Sequence, residues 1–252
     1  MKLGSVMKLK LLMRILNVLL VLFIFIGVLY WQLSRVYPFH WNIPFEYANL
    51  YIFGLLLTMK ISVSSVLVAL IIGLIFGIMR TSHHATPRDL AGVYVNFVRN
   101  IPLIVVIFII YYGVGTILNI TRYWAAVLAL SFFEGAYIAE IIRAGIESIE
   151  RGQWEAAFSL GFTKSQILEY IIMPQAIRRI IPPLTGQFIS LVKDSSLASV
   201  IALQELTMRG RQVANMTLSS FESYITIAVL YFTLTTILSS LGRFFEKRLA
   251  IP

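Results

Sequence analysis

Residues 147–174 read ESIERGQWEAAFSLGFTKSQILEYIIMP. Charged and polar positions run through the whole stretch, so it is too polar to cross a bilayer, yet an apolar run of membrane-spanning length lies on each side of it. Two breaks divide it. Residues 147–160 favour helix, and Gly161 ends that helix as a glycine just past a C-terminus does. Thr163 then caps a second helix, and Gln166, three positions on, completes a capping box. Pro174 is expected to end the second helix, because proline has no N–H to continue it. The expectation is two short helices with a bend, with apolar surface from Trp154, Ala157, Phe158 and Ile167.

Outward from this stretch, apolar runs dominate. Residues 123–146 precede it and residues 180–203 follow it; further runs cover residues 11–31, 50–79, 101–118 and 224–244. Each has about 18 residues or more, enough to cross a hydrocarbon core. Hydrophobic residues make up 58% of the 252 and charged residues 13%, against about 45–50% and about 25% in soluble domains. The chain is expected to be an all-α membrane protein of about six transmembrane helices: a first helix and external loop over residues 1–49, then a membrane core over residues 50–252. The first run follows Lys2, Lys8, Lys10 and Arg14, as a signal peptide would, but it is too long for a signal core and no small-x-small site follows it. It is expected to be an uncleaved helix. Gly73 and Gly77 form a GxxxG pair that lets another helix approach closely. Residues 34–50 and 80–100 are expected to be polar connections.

The basic residues give the orientation. With the N-terminus cytoplasmic, 15 Lys or Arg fall on the inner segments and only Arg35, Arg122, Arg209 and Arg211 on the outer ones; Lys60 and Lys193 lie inside apolar runs. The excess of positive charge inside puts both termini and residues 147–174 in the cytoplasm. The same distribution accounts for the net charge of +9 without nucleic acid, since no basic cluster forms on a soluble face. There are no cysteines, which excludes disulfides and thiolate metal sites, and the three histidines (His40, His83, His84) suggest no metal site.

Within the polar stretch, Glu155-Ala156-Ala157 is followed after three residues by Gly161, after nine more by Ile171, and then by Met173 and Pro174. This resembles the EAA loop of ABC-importer permeases (EAA-x3-G-x9-I-x-L-P), with Met173 in place of leucine. Other stretches are similar to the polar amino-acid branch of these permeases: GLLLTMKI at 54–61, VRNIPL at 98–103, AYIAEIIRAGI at 136–146 and LVKDSSL at 191–197. The resemblance covers most of residues 50–248. It implies a type I importer core of five spans, with residues 11–31 as an added helix. It implies that Arg151, Glu155, Ala156, Ala157, Gly161 and Pro174 belong to a coupling element that docks on an ATPase subunit. The bland alternative is a helix that only lies on lipid.

Charged residues inside a span are costly and mark a pathway by default. Glu134 sits midway along residues 123–146, and Lys193 and Asp194 lie within residues 180–203. Gln187, Ser190 and Asp194, at i, i+3 and i+7, share one helix face. A free amino acid offers an ammonium, which Asp194 can receive, and a carboxylate, which Lys193 or helix-start N–H groups can receive. Many polar amino-acid permeases have Asn-Glu-Phe where this chain has Gly186-Gln187-Phe188; the neutral Gln187 favours a neutral or acidic amino acid such as glutamine or glutamate. Against this stands a purely structural reading, in which Lys193–Asp194 and Glu140–Arg143 are internal charge pairs.

No G-x-x-x-x-G-K-[ST] occurs, and no catalytic constellation is visible. The chain is therefore expected to be a transport subunit and not an enzyme, in the cytoplasmic (inner) membrane of a bacterium, with no cofactor of its own. ATP and Mg2+ are expected to bind a partner ATPase. A second permease, identical or related, and an extracytoplasmic substrate-binding protein complete the expected partners besides membrane lipid. The alternative from another class is a secondary transporter or channel independent of ATP.

Overall fold

The computed structural model describes residues 2–249, and all regular structure among them is helical. The order is α1 (Lys2–Ser34), α2 (Ile43–Glu46), α3 (Ala48–Arg80), α4 (Ala85–Arg99), α5 (Leu103–Phe108), a π-helical stretch (Ile109–Val114), α6 (Gly115–Leu118) and α7 (Arg122–Glu147). Then come α8 (Arg151–Ser159), α9 (Lys164–Ile167), a second π-helical stretch (Leu168–Ile172), α10 (Met173–Asp194), a 3-10 stretch (Ser195–Ile201), α11 (Leu206–Thr217) and α12 (Ser220–Leu249).

The central seam is α3 against α7. In lipid there is no hydrophobic gain in pressing two helices together, so close packing and hydrogen bonds must hold them. Most of the buried positions of α3 are small for this reason: Gly54, Thr58, Ser62, Ser65, Ala69, Gly73 and Gly77 fall three or four apart on one face, with Tyr51 and Ile61 the larger exceptions. A Cβ added at Gly73 would run into the side chain of Ile138, and one at Gly77 would come within 2.9 Å of Ile142 Cβ. From the other side, a Cβ at Gly135 would stand 2.6 Å from Ile72 Cγ2. Ser131 Oγ bridges the seam, its one proton shared between Val127 O at 2.6 Å and Ser65 O at 3.1 Å. The GxxxG pair is thus a packing device.

Every apolar run expected to span coincides with helix, but not uniformly. α3, α7 and α12 contain stretches long and apolar enough to cross a membrane: Ala48–Arg80, Arg122–Glu147 and Ser220–Phe244. Two helical pieces, Ala85–Arg99 and Leu103–Leu118, are together long and apolar enough for a further span but meet at 105°. α1 is one continuous helix whose described side chains are all exposed. α10 begins at Met173 and carries Arg178, Arg179, Lys193 and Asp194, so it starts before the expected run of residues 180–203 and is amphipathic.

Residues 80–100 are a correction. They are not a polar connection: residues 85–99 form α4, which buries Ala91, Gly92, Val95 and Val98 on one face. Tyr94 Oη donates to Phe132 O at 2.6 Å and fastens α4 to α7. Averaged polarity hides this helix, because its apolar residues recur at helical spacing among charged ones.

On the opposite flank α11 lies on the start of α3. Glu205 caps α11, its carboxylate accepting from Met208 N and Thr207 N, each at 2.8 Å, and from Tyr231 Oη at 2.9 Å. Burial pushes the Glu205 carboxyl above the usual carboxylate range, opposed by the Thr207 and Met208 N–H groups. Thr58 Oγ1 accepts from Leu206 N at 3.1 Å and joins α11 to α3.

Candidate functional site

Residues 147–174 contain the expected bend between two helices: the first, α8, is short, whereas the second starts at α9 and continues into α10. Gly161 adopts φ +82°. Gly161 N donates to Phe158 O at 3.0 Å and Phe162 N to Ala157 O at 3.2 Å. These are the two bonds of a Schellman motif, in which glycine takes the left-handed position at no steric cost. The capping box is complete: Gln166 N donates to Thr163 Oγ1 at 3.4 Å and Thr163 N to Gln166 Oε1 at 2.9 Å.

Pro174 is a second correction. It does not end the second helix but stands in the first turn of α10. Lacking an N–H, it leaves the carbonyl one turn back without its usual donor, and the chain widens into the π-helical stretch Leu168–Ile172 instead of stopping.

The hairpin has an inner and an outer face. Ala157, Ile167 and Ile172 are buried with Ile138, Ile142, Ile149, Ala176 and Ile180, and half-buried Trp154 packs on the same cluster. Arg179 Nη1 donates to Ser148 O at 2.5 Å and pins the turn after α7 to α10. Outward stand Phe158 (51% exposed), Leu160 (77%) and Tyr170 (63%), with Phe162 and Leu168 beside them. Arg151, Glu155 and Ala156 are exposed on α8. Of the four apolar residues expected at the surface, Ala157 and Ile167 therefore face inward. The outward ridge formed by Leu160, Phe162, Leu168 and Tyr170 escapes sequence reading because it lies at the helix ends and bend, where periodicity is undefined.

The second cluster lies between α7 and α10. Glu134 is fully buried. Gln187 Nε2 donates to Glu134 Oε2, and the Asp194 carboxyl lies near enough for the two groups to interact electrostatically. Glu134 Oε1 has no partner among the described residues. Ionised carboxylates only accept, so this arrangement calls for a donor between the two groups: a proton or an ammonium. Ser190 is half-buried on the face that carries Gln187 and Asp194. Lys193 is exposed, one position round α10 from Asp194. The structure thus gathers Glu134, Gln187 and Asp194, with Ser190 alongside, and leaves Lys193 outside the cluster.

A further buried carboxylate, unforeseen from sequence, is Glu222, which accepts from His40 N at 2.5 Å and from Tyr37 Oη at 2.8 Å. It holds the connection after α1 onto α12, where Tyr30 and Trp41 stack on Phe39 and Phe221 meets Phe39 edge-on. Only the aromatic content of residues 34–50 hints at this contact.

Known proteins share this architecture. The family described as binding-protein-dependent transport system inner membrane component matches residues 69–251. The "Probable glutamine ABC transporter permease protein GlnM" of Bacillus subtilis (strain 168) is 40% identical over 209 residues, 82% of this chain and 97% of the relative. The arginine transport system permease protein ArtQ of the same organism is 35% identical over 198 residues, 78% of this chain and 90% of the relative. Among solved structures, one described as an amino acid ABC transporter with histidines superposes with a TM-score of 0.80 at 37% identity, covering 84% of this chain and 100% of its own. With the helical core, the two-helix excursion and these matches together, the chain belongs to the binding-protein-dependent transport system inner membrane components, the multi-pass permease subunits of ABC importers.

Proposed function

We propose that this permease carries a polar amino acid inward across the cytoplasmic membrane of a bacterium, with the polar cluster between α7 and α10 as its passage. The observation that carries this is the facing pair Glu134 and Asp194, with Glu134 Oε1 left without a donor inside a helical membrane body. The α-ammonium of an amino acid is such a donor. Gln187 and Ser190 add neutral hydrogen-bonding groups on the same face. The relatives carry both glutamine and arginine in their names; the neutral amide of Gln187 favours a neutral or acidic side chain, in the class of glutamine and glutamate. Lys193 keeps a supporting part, from the rim, in receiving the substrate carboxylate.

The drive comes from a separate ATPase that binds ATP and Mg2+ and grips Arg151, Glu155, Ala156 and the outward ridge of residues 147–174. Ala157, Gly161 and Pro174 shape that element from within. A second permease, identical or related, completes the channel, and an extracytoplasmic binding protein delivers the solute. Residues 50–252 form the core, residues 1–49 add a helix and an external loop, and both termini lie in the cytoplasm.

Asp194→Ala tests the passage. In proteoliposomes holding the complete transporter, uptake falls about tenfold or more, as loss of one charge-assisted bond worth about 1.5–3 kcal/mol requires, while ATP hydrolysis continues. Unchanged uptake kinetics for every amino acid tried returns Asp194 to a packing role.

A further inference from the structure

In sequence, Glu140 pairs with Arg143 at i, i+3; the structure adds two arginines from other helices. The Glu140 carboxylate accepts from Arg143 Nη2 at 2.6 Å and Arg143 Nε at 3.0 Å. Arg80 Nη2, at the last residue of α3, lies 3.6 Å away, and Arg99 Nη1, at the last residue of α4, lies 3.8 Å away. The Arg99 guanidinium also sits 5.1 Å from the centre of the Tyr137 ring. Arg143 reaches on to Glu147, the final residue of α7. The next carbonyl, that of Ser148, is held by Arg179 of α10 at 2.5 Å. One carboxylate therefore gathers the ends of α3 and α4 onto the part of α7 that leads directly into the hairpin.

The charges make this a joint and not mere packing. Three guanidiniums converge on a single carboxylate, so without its charge they face one another as like charges. α4 ends beside this carboxylate, where the chain turns by 105° into the helical piece beginning at Leu103. We propose that Glu140 is a positioning residue for coupling: it makes α3, α4 and the hairpin-bearing end of α7 move as one body when the hairpin is pulled. This rests on the reading of residues 147–174 as the element that an ATPase grips.

The test uses the complete transporter in proteoliposomes and reads ATP hydrolysed per amino acid imported. Glu140→Gln raises this ratio about fivefold or more, the lower end of ordinary coupling energies. Glu140→Asp, which keeps the charge, stays near the native ratio. Arg99→Gln, at a side chain 38% exposed, raises the ratio on its own, and the double variant with Glu140→Gln rises no further than Glu140→Gln alone, because both break one link. Arg88→Gln, at the exposed Arg88–Asp89 pair, leaves it unchanged. A native ratio in Arg99→Gln, or effects that multiply in the double variant, overturns the proposal; Arg99→Gln keeps it decidable should Glu140→Gln fail to assemble. Failure of the underlying reading shows elsewhere, as undiminished ATPase binding by a chain whose outward ridge carries aspartates.

Discussion

Placing aspartates at Phe158 and Leu160 should abolish uptake while the chain still inserts and folds. Both side chains are exposed, at 51% and 77%, so neither substitution opens a cavity or strands a charge in the core. In water, two such apolar groups side by side have a cost unless something covers them. Covered by an ATPase they act as anchors, and truncating an interface anchor costs about 2 kcal/mol or more. Two together weaken docking several hundredfold, at about 1.4 kcal/mol per factor of ten. Co-purification with the ATPase reads the effect directly, and uptake falls with it. Glu155→Lys and Gly161→Pro act at the same place more subtly. The first reverses an exposed charge on the gripping face. The second cannot reach φ +82° and removes the N–H that Gly161 gives to Phe158 O. Both should let ATP hydrolysis run free of uptake without harming insertion.

Gly73→Leu should destroy the fold. The added carbons land on Ile138, a fully buried side chain of α7. Overpacking a tight contact costs about 1–3 kcal/mol when side chains can shift. Here the neighbour is β-branched and held between helices, and Gly77 and Gly135 prevent relief on either side. α3 and α7 must therefore separate, and with them goes the bond from Ser131 to Ser65. The yield of monodisperse protein in detergent measures the loss. Gly73→Ala should lie between, while Gly27→Leu, with open space around the glycine among the described residues, should be silent.

Sequence reading succeeds here where a local rule is strong. A glycine with a capping box two positions on writes a bend into residues 159–166, and the Schellman and capping bonds form as written. GxxxG foretells a close approach and the small-residue face of α3 supplies it. The grouping of Gln187, Ser190 and Asp194 on one face is legible from helical spacing, and Glu134 does meet that face. What escapes is set by tertiary partners. Lys193 looks like a member of the cluster until its exposure is known. α4 looks like a loop because its buried stripe is diluted by Arg88, Asp89 and Arg99. Pro174 looks like a stop, yet a widened turn absorbs the missing donor. Glu140 looks like half of a local pair, and only the fold brings Arg80 and Arg99 to it. An ATP-independent transporter, open as an alternative from sequence, gives way to the importer family to which the chain belongs.

A permease driven from the cytoplasm must have residues 147–174 held there by a second protein. The chain has no cysteine, so Leu160→Cys introduces a single thiol at the most exposed point of the ridge. Labelling it with a membrane-impermeant maleimide should succeed in inside-out vesicles, fail in right-side-out ones, and be blocked when the ATPase is bound. A thiol reached from the outer face, or one labelled equally fast with and without the ATPase, would contradict it.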